Sequence, residues 1–116
     1  MTIIYHITRA ADWAGARREG LYSADTLASQ GFIHCSKLGQ IIAVANRYYS
    51  GQRGLVLLAI LTTRVEAEIR YENLEGGSEL FPHIYGPLNL DAVKMALPFE
   101  PGPDGTFKMP DGAPKG

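Results

Sequence analysis

Apolar residues fall into short runs separated by polar punctuation, and the period of each run predicts its element. Residues 2–7, TIIYHI, are almost all β-branched or aromatic, which predicts a first strand. Thr8 then stands where a helix cap belongs, and Ala10, Trp13, Ala14 and Arg17 share one face of a helix through Arg18. Gly20 ends it at the position that favours a left-handed residue. LYSADTLASQ is turn-like, with Ser23 as the cap of one short helical turn. GFIHCS, residues 31–36, predicts a second strand. Ser36 caps the helix KLGQIIAVANRYY, in which Leu38, Ile41, Ile42, Ala45, Tyr48 and Tyr49 recur at three- and four-residue steps.

The second half reads mostly as strand. LVLLAIL, residues 55–61, is apolar throughout and predicts a central strand buried on both faces. EAEIRYEN alternates, with Ala67, Ile69 and Tyr71 on one face and Glu68, Arg70 and Glu72 on the other. EGGSEL is a loop. FPHIYG predicts a short strand or an extended edge, because Pro82 has no N–H to give a ladder. Asn89 caps a single turn and AVKMALPFE returns as the last strand. From residue 101 onward Gly, Pro and Asp dominate, and apart from Phe107 little is left to bury. The expectation is an α+β fold with two main helices in one domain over residues 1–107, then a flexible tail over 108–116.

Charge narrows the partners. Eleven Lys and Arg against twelve Asp and Glu leave a net charge of −1, with no basic stripe to follow a phosphate backbone. General nucleic-acid binding is therefore not expected. The longest apolar run is seven residues, far below the roughly 20 a membrane-spanning helix needs. The N-terminal run breaks at His6 and lacks a basic leader. A single cysteine, Cys35, rules out an internal disulfide and suits a reducing compartment, so a soluble cytoplasmic protein is expected.

Candidate chemistry rests on the three histidines. In a strand, residues two apart share a face, so His6 pairs with Thr8, His34 with Ser36 and His83 with Tyr85. Each pair sets an imidazole beside a hydroxyl, a combination suited to a ribose diol, a phosphate or a polarised carbonyl. A histidine in an apolar strand is ordinarily a structural group, and Thr8 and Ser36 have capping roles that need no ligand. Three such burials in a chain with only three histidines favour one shared polar cleft. Zinc is the lesser reading, since the spacing from 6 to 34 to 83 matches no compact metal motif. Cys35 points away from His34 and reads as a small buried hydrophobe.

YHIT, GFIHCS and FPHIYGPL, with VANRYY and RYE between them, resemble the bacterial domain of unknown function 952 family over residues 3–107. That family is grouped with the ADP-ribosyltransferase superfamily, so the resemblance implies split, mostly antiparallel sheets around a cleft for NAD. It implies that His6 with Thr8 holds the ribose or adenosine part, and that Ser36 lies on the nicotinamide side. The superfamily's third motif usually carries a catalytic glutamate. FPHIYG has none, and His83 or Tyr85 stands there instead, with Glu72 and Glu79 the nearest acids.

The RYE segment adds Arg70 as a cation for phosphate or carboxylate and Glu72 as a carboxylate to orient a histidine. The expected catalytic residues are then His34, His83 and Glu72. The expected ligand-binding residues are His6, Thr8, Ser36, Arg70 and Tyr85, with no metal. Two functions are consistent with this set. One is an enzyme handling NAD or ADP-ribose, by glycosyl or phosphoryl transfer. The other is a non-catalytic module that binds a nucleotide, a metabolite or a partner protein without the transferase glutamate.

Overall fold

A computed structural model describes residues 2–114; Met1, Lys115 and Gly116 lie outside the described residues. Strand β1 (Ile3–Arg9) pairs antiparallel with β4 (Leu55–Leu61), which pairs in turn with β8 (Val93–Phe99). A sheet of order β1-β4-β8 results, with β4 in the middle. LVLLAIL is the central strand its composition predicts. Leu57 and Ala59 face one side with Ile3, Tyr5 and Ile7, and Leu58 and Ile60 face the other with Ile4.

Each face has its own cover. Helix α3 (Ile41–Tyr48) lays Ile41 and Ala45 on the first, beside Phe99 and Phe107. The second packs against a sheet of order β3-β6-β5, made from β3 (Ile33–His34), β5 (Glu68–Glu72) and β6 (Phe81–Tyr85). Helix α1 (Ala10–Glu19) contributes Ala16 to that side, and the small β2–β7 pair (Leu21–Tyr22 with Leu88–Asn89) contributes Tyr22 and Leu88. The α+β class is as expected, though with a third helix, α2 (Asp25–Gln30), where only one turn was expected.

Several local expectations are corrected. Thr8 is no cap: its register with Val56 keeps it in β1, and its hydroxyl is spent on Tyr22. The α1 cap position is Arg9, and Ala10 N–H bonds to the Gly54 carbonyl. Nor does Ser23 cap α2, whose cap position is Ala24. Ser36 does not start α3; it exchanges two backbone bonds of 2.8 Å with Tyr5, stitching the two larger sheets together. The helix begins five residues later, after a turn in which Gln40 Oε1 accepts Lys37 N–H, so Leu38 falls outside it. Asn89 stands at the cap position of a 3₁₀ turn, but its amide binds the Glu66 N–H and the Arg64 carbonyl instead.

The proline-bearing strand β6 is the middle strand of its sheet rather than an edge. The sheet tolerates Pro82 because pairing with β3 ends there. Ile33 and His34 are matched to Ile84 and His83, and then Cys35 N–H gives a single bond to the Pro82 carbonyl. The reciprocal bond would need a proline N–H, so the chain leaves the ladder at Cys35. Behind β6, Gly86 has φ 154°, and a Cβ there would meet Ala67 Cβ at 3.0 Å.

Phe107 stacks on Phe99 with centroids 4.7 Å apart, and its N–H is held by Asn46 Oδ1 at 2.7 Å. Asn46 therefore anchors the C-terminal segment. Of the tail expected over 108–116, Met109 packs on the core and the Tyr5 hydroxyl bonds the Pro114 carbonyl. Residues 115–116 fall outside the described chain. Among the described residues no helix is long and apolar enough to cross a membrane.

Candidate functional site

Strand alternation and register put the chemistry on one face of the β3-β6-β5 sheet. His34, His83 and Arg70 lie side by side across the three strands, with Phe81 beside Glu72 and Tyr85 beside Glu68. Ile33, Ile84 and Ile69 alternate with them and point into the core. The outward face is thus free to be polar because the inward face supplies the burial.

His83 is fixed from two sides. Phe32 stacks on its ring at 4.3 Å, and Glu72 Oε1 lies 3.0 Å from its Nδ1. A carboxylate can only accept, so Nδ1 carries a proton toward Glu72, and Nε2 takes no part in that bond. The Tyr85 hydroxyl donates to the same Glu72 oxygen. That bond first, and the His83 bond second, hold the Glu72 carboxyl below its ordinary range, while the Tyr85 phenol is pushed up. Behind Tyr85, the Arg70 guanidinium lies 4.3 Å over the ring and makes two bonds to Glu68 at 2.9 and 3.0 Å.

His6 comes from the other sheet. Its Nδ1 lies 2.5 Å from the His34 carbonyl and its Nε2 lies 2.7 Å from the Tyr22 hydroxyl. A 2.9 Å bond joins the Tyr22 and Thr8 hydroxyls. Burial lowers the His6 pKa to about 4, so the ring is neutral near pH 7, with its proton on Nδ1 facing the carbonyl. The Tyr22 hydroxyl therefore donates to Nε2. Both ring nitrogens are committed to the protein, and burial also raises the Tyr22 phenol to about 12.

His6, Thr8, His34, Ser36, Glu72 and His83 all line one cavity of about 860 Å³. Arg70 and Tyr85 do not; they stand behind the Glu72–His83 pair. His34 is exposed, with Nε2 bonded to Gln30 Oε1 at 2.9 Å, and partial burial first, then the neighbouring His83 imidazole, lower its pKa. Cys35 also lines the cavity, but burial pushes its thiol up, away from the thiolate a nucleophile needs. Among the described residues no three His, Cys, Asp or Glu side chains are grouped to hold a metal ion.

Sequence reasoning missed Tyr22, Phe32 and Arg9. Tyr22 stood in a stretch read as a turn, where an aromatic hydroxyl among small polar residues was the available signal. Phe32 looked like ordinary strand core, yet its ring floors the two histidines. Arg9 is the sole Lys or Arg lining the cavity among the described residues, paired with Asp12 at 3.3 Å and Asp25 at 3.7 Å.

Comparison with known proteins gives a fold and a family. The crystal structure of protein CC0527 from Caulobacter crescentus is similar, with 31% identity, a TM-score of 0.83, and coverage of 92% of this chain and 94% of that one. A double mutant of the same protein gives the same values. Its solution NMR structure matches at 33% identity and TM-score 0.80, covering 91% of each chain. No curated protein matches the chain significantly. The family described as "Protein of unknown function (DUF952)" matches residues 7–96. With that match over most of its length, and a relative of the same fold above 30% identity, the chain belongs to the DUF952 family.

Proposed function

We propose that the chain is a nucleotide-handling enzyme of the ADP-ribosyltransferase-like kind, taking NAD or ADP-ribose into this cavity. The observation that carries the reading is the convergence of His6, His34 and His83, from three separate strands, on one cavity of about 860 Å³. That volume suits a small-molecule ligand, and the walls mix apolar surface with a few placed polar groups. Glu72 holds His83 in the orientation and tautomer of a group that moves a proton at a bound hydroxyl. Arg9 is the cation for a phosphate. Its exposed pairs with Asp12 and Asp25 are of the weak kind that a phosphate can replace. A reducing, cytoplasmic setting belongs to the same reading.

The test is a titration of the purified protein with NAD and with ADP-ribose while the histidine resonances are recorded. Movement of the cavity histidines supports the reading, and their stillness at millimolar ligand ends it.

One observation favours a second reading, a non-catalytic binding module. The carboxylate beside His83 is already committed to Tyr85 and His83, and β6 carries no acid of its own. Turnover of NAD that disappears in His83→Ala would exclude it.

A further inference from the structure

Buried polar side chains in this protein are almost all spent on the protein itself. His6 uses both ring nitrogens, and Thr8 is bonded to Tyr22. Gln40 binds Lys37 and Leu80, and Asn89 binds Glu66, Arg64 and Asp91. Two atoms stand apart among the described residues. Ser36 is 4% exposed and its hydroxyl has no hydrogen-bond partner; His83 is 5% exposed and only its Nδ1 is bonded. Among the described residues no enclosed side-chain nitrogen or oxygen lacks a partner, so Ser36 Oγ and His83 Nε2 must each touch open space. Both residues line the cavity, which is where that space lies.

We infer that Ser36 Oγ and His83 Nε2, rather than His6 and Thr8, read a neutral hydroxyl-bearing end of the ligand, such as a sugar hydroxyl. The assignment rests on the nucleotide reading above and reverses the part that family resemblance gives to His6. The chemistry of the two atoms sets the class of group. With Nδ1–H directed at Glu72, His83 in its neutral form offers an acceptor at Nε2, and Ser36 offers a donor as well as an acceptor. A hydroxyl can donate to the one and accept from the other. A phosphate, having only acceptors, would meet the lone pair of a neutral His83 with Glu72 close behind it. His6 could take a ligand hydroxyl only by giving up Tyr22 or the His34 carbonyl. That exchange would leave a buried group unpaired, whereas Ser36 and His83 have nothing to give up.

Long-range proton–nitrogen NMR of the full chain during titration with ADP-ribose separates the possibilities. The expected result is a shift of His83 Nε2 that saturates with ligand, while His6 Nε2 stays in place. Ser36→Ala is expected to weaken ADP-ribose about five- to tenfold, the ordinary effect of one neutral hydrogen bond. His83→Gln is expected to weaken it at least tenfold. If ADP-ribose binds but shifts His6 Nε2 and not His83 Nε2, this assignment is overturned and the nucleotide reading stands. Unchanged affinity in a folded Ser36→Ala protein overturns it in the same way. No binding at millimolar ADP-ribose overturns both. Should a variant fail to fold, the unmodified chain's spectra decide.

Discussion

The Tyr22 hydroxyl lies 2.7 Å from His6 Nε2, deep between a two-residue strand and the first long one. Their rings meet edge to face at 5.3 Å. Tyr22→Phe keeps the ring and removes the donor, leaving a buried imidazole nitrogen without a partner. The cost is expected to be about 1–3 kcal/mol. A urea denaturation midpoint reads it, and a variant as stable as the parent would mean that His6 is not held by Tyr22.

Acid is expected to weaken the fold through the same histidine. Its pKa is near 4 in the folded chain, against an ordinary value of 6.5. Between those values the unfolded chain binds the extra proton, so stability rises with pH across the window and falls on acidification. The loss amounts to roughly 3 kcal/mol by pH 4. His34, shifted in the same direction, adds to it. Glu72, held low, contributes a further loss only as pH drops through the carboxylate range. Thermal melts at pH 7, 5.5 and 4.5 should show a steady decline; a flat profile from 7 to 5 would contradict the neutral, buried state of His6.

Tyr85 and Glu72 set one another's titration. Tyr85→Phe removes the first support of the Glu72 carboxylate, which should then titrate higher, nearer its ordinary value. Glu72→Gln should bring the Tyr85 phenol down from its raised value. Carbon-13 carboxyl shifts follow the first effect and ultraviolet phenolate absorbance the second. If both titrations stay where they are, the shared hydrogen bond is absent in solution.

Cys35 should be inert in the native protein. Buried among Ile33, Ile84 and Leu58, with its thiol pushed up by desolvation, it presents no thiolate to a reagent. Labelling with iodoacetamide is expected to occur only in step with unfolding by denaturant.

The C-terminal segment should matter for stability. Phe107→Ala opens a cavity against Phe99 and is expected to cost about 3–5 kcal/mol. Calorimetry of this variant checks it, and a loss below about 1 kcal/mol would show that the segment does not hold to the core.

The sequence by itself determined the elements whose reasons are local. LVLLAIL has no polar face, so it can only be a strand covered on both sides. Residues 41–48 repeat apolar positions at helical steps, and α3 follows them. Period-two alternation in β5 already placed Arg70 and Glu72 on one face, and of the histidine–hydroxyl pairs His6 with Thr8 and His34 with Ser36 line the cavity, whereas Tyr85 stands behind it. The tertiary structure alone decided how those groups are used. Whether Thr8 caps a helix or extends a strand depends on Val56, 48 positions along the chain, and its partner Tyr22 sits in a stretch with no period at all. Pro82 reads as an edge residue until the ladder with β3 is seen to stop beside it. Hydrogen bonds to distant carbonyls, hydroxyls and carboxylates leave no trace in local pattern. They arise only when packing brings the strands together, and they are what separate the committed nitrogens of His6 from the open one of His83.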